Sequence, residues 1–477
     1  MFEGRVGRRK RPMLLRGAAP IALALAACAL AVASPVSAKS RKAPPAAPPP
    51  APTIVDFARE AGGDYYTFYA GRDYRPVWLD ASARTLPAGD ALLRLIETAV
   101  LDGIDPGSDP AALRAQIGAA AAAPTPLATG RADLALSRAF AGYVAATLAA
   151  TNETIYEHDI LRPQPVRPYH LLAKVAADPA GADYVSQMQW MHPLYAPLRQ
   201  RLEATSDPRQ RSAGIATLAR IRAIPRMQRQ ILVDVAAARL WMYEDGRPVD
   251  SMRVVVGRND TRTPLLAGFI RDAIVNPYWN VPDTLITRTI APNVLRQGFG
   301  YLKLREYEVL SRWGDGATPV DPGTVDWKAA ARGEHDLRIR QQPRPGNAMG
   351  QVKYEFPNNY GIYLHDTPDK HLMLKPDRQF SNGCIRLEDA ARLGRWLLQG
   401  SDLPTSGQPE TRVPLPSAVP IYLTYLTAHP DGTGLALVAD PYGLDATQRL
   451  AATAPATTAP SPLTPAAMAP APASGSR

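Results

Sequence analysis

The sequence predicts an α+β fold in which a helical domain is followed by a mainly β domain carrying a lid-like insertion. Three observations carry this. Between about residues 54 and 224 the apolar residues recur at helical spacing, as in Leu92, Leu93, Ile96 and Val100, then Leu136, Phe140, Tyr143, Val144 and Leu148. After Met227 the period shortens to the alternation of Ile231, Val233 and Val235, and the turn Glu244-Asp245-Gly246 precedes Val254, Val255 and Val256. From residue 282 to 349 the β pattern is interrupted by a proline-rich stretch with a helical segment, Trp313 and Trp327. A stretch this long on a sheet suits a lid or substrate-binding element, or a simple decoration.

Residues 1–38 read as a secretory signal. Arg8 to Arg11 form a basic start, Leu14 to Val32 an apolar segment, and Val36-Ser37-Ala38 a small-residue cleavage site. Export is therefore expected. A membrane anchor, or a lipoprotein signal acylated at Cys28 of Leu25-Ala26-Ala27-Cys28, are the alternatives. Residues 39–53 are Pro/Ala-rich and read as an extended linker, and 451–477 as a tail of the same character.

The helical domain is expected over 54–224, with Asp102-Gly103-Ile104-Asp105-Pro106 breaking its first amphipathic helix because Gly and Pro end helices. Its His158, His170 and His192 are scattered without ligand spacing, so they read as structural or surface residues. The β domain is expected over 228–402, with further strands near Ala273 to Tyr278 and Tyr360 to His365. Val419 to Leu426 and Leu435 to Ala439 read as a closing hairpin turning at Asp431-Gly432, within a segment 419–450.

Composition sets limits on the partners. The chain is 46% apolar and 21% charged, which is ordinary for a globular protein with room for two to four domains. Its formal charge of +10 lacks the basic stripe with interleaved aromatics that nucleic acid requires, and export makes that partner inappropriate. The excess suits an anionic wall or membrane surface, or merely a solvated basic surface. HExxH and CxxC are absent, and no metal or cofactor is expected.

Of two cysteines, Cys28 lies in the signal, which leaves Cys384 as a lone thiol that is either inert or kept for reactivity. In Tyr360 to His365 strand alternation places Ile362 and Leu364 on one face and Tyr363 and His365 on the other. Nineteen positions after His365 comes Cys384, in Ser381-Asn382-Gly383-Cys384-Ile385-Arg386-Leu387, where a turn-like Ser-Asn-Gly leads into a short apolar pair and then a helix near Asp389 to Gln399. A thiol with an ordinary pKa of ~8.5 is only slightly ionised at neutral pH and needs a base or positive surroundings. His365 can be that base, Arg386 can add positive potential, and the helix could aim its N-terminus at the thiolate. Gly383 lets the backbone approach a substrate, so amides near Gly383 and Cys384 could form an oxyanion hole, worth roughly 3 to 4 kcal/mol per donor. On chemistry alone a core histidine and a buried inert thiol explain the pair equally well.

The motifs decide between them by resemblance. His365-Asp366-Thr367 with Ser381-Asn382-Gly383-Cys384-Ile385-Arg386 is similar to the catalytic signature of the L,D-transpeptidases, specifically their large periplasmic branch. Asn276 to Pro282, Pro345 to Gly350 and Lys353 to Asn358 extend the likeness, and Asp102 to Pro106 and His192 to Tyr195 resemble that branch's scaffold domain. The resemblance implies a periplasmic enzyme in which Cys384 attacks a peptidoglycan stem peptide and His365 relays the proton, forming a thioester that a second stem resolves. It makes Tyr278, Trp279 and Tyr363 candidate walls for the stem, with core packing as their alternative. Arg386 would pair with a substrate carboxylate or with a structural acid. Other cell-wall synthases are conceivable partners.

The chain departs from the family in two places. Asn382 stands where the family usually has His, and Glu203 to Met227 leaves no room for the branch's small peptidoglycan-binding module. Third-to-third cross-links are the family default, and first-to-third linkage satisfies the same stereochemistry. Hydrolysis of the thioester by water, as in an L,D-carboxypeptidase or endopeptidase, and a non-catalytic wall-binding role are the other readings.

Overall fold

The computed structural model describes residues 59–445 except 60, 150–152, 178–180, 315 and 433. The expected signal, linker and tail lie outside the described residues, as does Cys28. Among the described residues eight helices build the first half: α1 Gly63–Ala70, α2 Pro87–Glu97, α3 Pro110–Ala122, α4 Pro126–Leu148, α5 Pro168–Val175, α6 Gly181–Ser186, α7 Tyr195–Ala204 and α8 Pro208–Ile221. Proline opens α2, α3, α4, α5 and α8, where its missing N–H costs nothing, and Asp109, Thr125 and Asp207 cap three of them with side-chain oxygens. Helix α2 stops at Glu97, so Val100 falls in a 3-10 turn and is exposed, with Gly103 in the left-handed region. The turn is fixed from below by Asp102, fully buried, which receives Tyr143 Oη at 2.7 Å, Tyr195 Oη at 2.9 Å and Arg199 Nε at 2.9 Å.

The β half has the strands β1 Ile155–Tyr156, β2 Arg229–Asp234, β3 Arg239–Glu244, β4 Arg247–Gly257, β5 Leu266–Val275, β9 Val352–Glu355, β10 Tyr363–His365, β11 Gln379–Ser381, β12 Ile385–Leu387 and β13 Thr411–Thr424. They form a sheet in the order β1-β5-β13-β2-β3-β4-β12-β10-β9, with β11 paired to β4 off this path. Because β9 also pairs with β5, the path closes on itself and leaves β1 outside the ring. Alternation along β2 feeds two cores: Ile231 and Val233 point inward with Val254, Val256, Leu364 and Ile385, while Leu232 points out. Outside, Leu232, Tyr243, Ala267 and Tyr422 form one continuous apolar core with Leu92, Phe140, Tyr195 and Leu218 of the helices. The helical and β halves are thus welded rather than tethered, and α8 fills the stretch between them.

Two elements differ from the sequence expectation. Val419 to Thr424 belongs to β13, which runs parallel to β2 and antiparallel to β5, so the sheet extends past residue 402. The hairpin turns at Asp431-Gly432 as expected and its second strand is β15 Gly434–Leu437, but the first is β14 Ala428–Asp431, and the pair packs on α7 and α8. Both segments are apolar and β-prone, and periodicity does not say which strand pairs with which. The insertion is also more ordered than expected: β6 Trp279–Asn280, β7 Tyr307–Leu310 and β8 Arg338–Gln341 form a separate sheet beside α9 Ala291–Gln297, α10 Gly300–Leu304 and α11 Trp327–Arg332. It has its own core of Val281, Ile286, Val294, Val309, Trp327 and Ile339.

Candidate active site

Strands β10 and β12 run parallel, with Leu364 opposite Ile385 and His365 opposite Arg386. Extending that register by one residue sets Tyr363 beside Cys384. Leu364, Ile385 and Leu387 are fully buried in the inner core, so Tyr363, His365, Cys384 and Arg386 share the opposite face. His365 and Cys384 are diagonal neighbours on that face, and the rings of Tyr363 and His365 lie 5.9 Å apart.

His365 is almost fully buried, and its Nδ1 lies 2.6 Å from the carbonyl oxygen of Asp366. A carbonyl only accepts, so Nδ1 carries the proton and Nε2 keeps its lone pair. The Asp366 carboxylate is held by Lys370 at 2.6 Å and by the Gln351 amide at 3.0 Å, and Lys370 also donates to the Leu387 and Glu388 carbonyls. The imidazole is thereby set in one tautomer by fixed backbone.

The thiol is half-buried, and Cys384 Sγ donates to the carbonyl of Gly361 at 3.6 Å. No hydrogen bond joins it to His365 among the described residues. Burial pushes the thiol up to about 11, against the opposing pull of Tyr363's hydrogen bond and the Arg386 charge. Burial likewise draws His365 down to about 3, assisted by Arg386. Tyr363 is itself held well above the phenol range by burial and by the neighbouring sulfur. The resting pair is therefore neutral thiol and neutral imidazole, and desolvation outweighs the positive surroundings.

Short bonds shape the loop around Cys384. Ser381 Oγ donates to the Cys384 carbonyl at 2.6 Å and accepts from the Gly383 amide at 3.1 Å. Gly383 has φ +120°, and a Cβ there would stand 3.0 Å from Ile362 Cδ1, so glycine is required for conformation and for space. Since the Gly383 amide is spent on Ser381, the Cys384 amide is left as the backbone donor nearest the sulfur. Asn382 is half-exposed and its side chain makes no hydrogen bond among the described residues.

Other site candidates are placed differently. Arg386 pairs with Asp369 at 3.1 Å. Helix α12, Ala390–Leu397, does not begin at the thiol, because β12 intervenes with about 10 Å of extended chain and Asp389 caps the helix by accepting from the Arg392 amide. Its dipole consequently does not act on the sulfur. Trp279 lies 6.2 Å from Tyr307 in the lid sheet, and Tyr278 lies under the Arg340 guanidinium at 4.1 Å, so both rings are engaged by the insertion. Sequence reading missed Thr263, whose hydroxyl donates to the Gly383 carbonyl at 2.7 Å from 120 positions away. A single threonine in a loop carries no pattern that would announce it.

Comparisons with known proteins bear on the family of the two halves. Residues 228–414 match the model of an L,D-transpeptidase catalytic domain and residues 64–202 that of a scaffold domain. A Haemophilus influenzae protein named "Putative L,D-transpeptidase" is 31% identical over 239 residues, 49% of this chain and 48% of the relative. The chain thus spans about half the length of that curated relative. A solved structure of an Ldtfm–avibactam carbamoyl enzyme is 12% identical over 42% of this chain and 49% of that one, at a TM-score of 0.20, too low to bear on the fold. With a scaffold domain followed by a catalytic domain that contains the Tyr363, His365 and Cys384 face, the chain belongs to the L,D-transpeptidase family.

Proposed function

We propose that this chain cross-links peptidoglycan stem peptides by L,D-transpeptidation through a thioester on Cys384. The observation that carries it is the single polar face of β10 and β12, which presents a thiol, an imidazole of fixed tautomer and a phenol side by side inside the matched catalytic domain. Because thiol and imidazole rest neutral, His365 Nε2 takes the Cys384 proton as the sulfur attacks the carbonyl of an L-residue bonded to a D-residue. The carbonyl π electrons pass to oxygen, where the Cys384 amide and the Tyr363 hydroxyl are the nearest donors. Collapse breaks the C–N bond, and the imidazolium returns its proton to the leaving amine. The amine of a second stem then attacks the thioester, gives its proton to His365, and releases the thiol as the C–S bond breaks. One peptide bond replaces another, so no nucleotide is consumed.

Third-to-third linkage is the default for the donor, and first-to-third is the alternative opened by Asn382, whose side chain is uncommitted. The reaction would take place in the periplasm, reached by the expected signal. Expression in a bacterial host lacking such enzymes, followed by mass spectrometry of muropeptides, tests the reading. New L,D cross-linked dimers are expected, and their mass fragments identify the donor position. Trimmed monomers alone would make the chain a carboxypeptidase, and an unchanged profile would overturn both.

A further inference from the structure

The segment Asp440 to Asp445 lies beyond the matched catalytic domain, yet it is joined by hydrogen bonds to α8 and to the 257–263 loop, which in turn holds the loop of Cys384. At one end Asp445 Oδ1 receives Arg220 Nη1 of α8 at 2.6 Å, and its Oδ2 receives Thr427 Oγ1 at 2.6 Å. In the middle Asp440 accepts from Tyr425 Oη at 2.6 Å and from the Leu444 amide at 3.0 Å, while the Tyr425 and Tyr442 rings stack 5.5 Å apart. At the other end the Tyr442 hydroxyl donates to the Gly257 carbonyl at 2.6 Å and accepts from the Thr263 amide at 3.2 Å.

Thr263 carries the connection onward. Its hydroxyl accepts from the Gly257 amide at 2.9 Å and donates to the Gly383 carbonyl at 2.7 Å, the peptide group adjoining Cys384. The Ser381 carbonyl is held from the same loop by the Arg258 amide at 3.0 Å and Thr261 Oγ1 at 3.1 Å. The peptide plane that ends in the Gly383 carbonyl also contains the Cys384 N–H. Fixing that carbonyl therefore fixes the direction in which the Cys384 amide points.

We infer that Tyr442 and Thr263 are positioning residues for the acyl-transfer step: the 440–445 segment is a strut that braces Thr263, and Thr263 orients the Gly383–Cys384 peptide so that its N–H faces the developing oxyanion. This rests on the thioester mechanism proposed above. The strut acts on the oxyanion donor rather than on the thiol proton. Its loss therefore slows attack on a carbonyl while leaving displacement at a saturated carbon, which has no oxyanion, nearly unchanged.

The experiment measures two rates on the full chain: acyl-enzyme formation with a donor tetrapeptide stem, read by intact-protein mass, and alkylation of Cys384 by iodoacetamide. Thr263→Val keeps the shape and loses the hydroxyl, Thr263→Ser keeps the hydroxyl, and Tyr442→Phe removes the brace. Acylation is expected to fall by about tenfold or more in Thr263→Val and Tyr442→Phe, with alkylation within about threefold of wild type, and Thr263→Ser restores acylation. Equal acylation in all four proteins overturns the strut, as does a parallel fall of both rates that Thr263→Ser does not rescue. Failure of the wild-type chain to acylate with the tetrapeptide counts against the thioester reading itself and is seen before any variant is compared.

Discussion

The resting charge state of the site makes a quantitative prediction for the reactivity of Cys384 across pH. With burial holding the thiol at about 11, roughly one molecule in 10⁴ is thiolate at pH 7, against about 3% for an ordinary cysteine of pKa ~8.5. The deficit in thiolate is on the order of 300-fold. A more basic thiolate is intrinsically more nucleophilic, which returns about tenfold for a Brønsted coefficient near 0.45, so iodoacetamide should react on the order of 20-fold slower than with free cysteine. Because His365 sits at about 3, it is already neutral above pH 5 and introduces no inflection. The second-order rate should therefore rise about tenfold per pH unit from 6 to 10 without a plateau. A plateau above pH 6 or 7, or a rate at pH 7 matching free cysteine, would show a resting thiolate–imidazolium pair and refute the argument that desolvation dominates. The same assay on Arg386→Gln should shift the profile to higher pH, since the guanidinium charge is one of the influences holding the thiol down.

Further outcomes concern stability. Arg199→Ala leaves the fully buried Asp102 without its cation and should cost about 3 to 5 kcal/mol in urea unfolding, and a loss below about 1 kcal/mol would show the pair to be dispensable. Acidification should destabilise the fold between pH 6.5 and 4. His192 and His365 both have folded values near 3, below their unfolded value, so their contribution is present above pH 6.5 and is lost as pH falls. Asp133, raised to about 6 by burial, works in the opposite sense and cancels one of the two protons taken up, leaving a slope of about 1.4 kcal/mol per pH unit. His192→Gln should flatten the dependence of the urea midpoint on pH, and an unchanged slope would assign the effect elsewhere.

The order of the two halves, and the two segments that place a thiol and an imidazole on one face, were legible because each leaves a local trace. Helical spacing in Leu92 to Ile96, alternation in Ile231 to Val235, and the Ser-Asn-Gly turn before Cys384 are short-range patterns. What the sequence did not disclose depends on pairing at a distance. Whether Val419 to Thr424 joins a hairpin or the main sheet is decided by β2 and β5, nearly 200 and 150 residues earlier. The helix after Cys384 was foreseen, but the three residues of β12 that separate it from the thiol were read only as a short apolar pair, because Ile385-Arg386-Leu387 is too short to show a period. The depth of burial at Cys384 was equally invisible. A thiol flanked by Arg386 reads as activated until its desolvation is known.

The common core of the two halves bears on what counts as a unit in this chain. Residues 228–414 are recognisable as a catalytic module, but a fragment cut at those ends would end partway along β13 and lose β1, the β14–β15 hairpin and the helices that cover Leu232, Tyr243 and Ala267. Its outer sheet face would then meet water as an apolar plate with an open edge, the form of surface that associates with copies of itself. The piece that is recognisable as a module is therefore smaller than the piece that folds, and the scaffold is as much the back wall of the catalytic domain as it is its support.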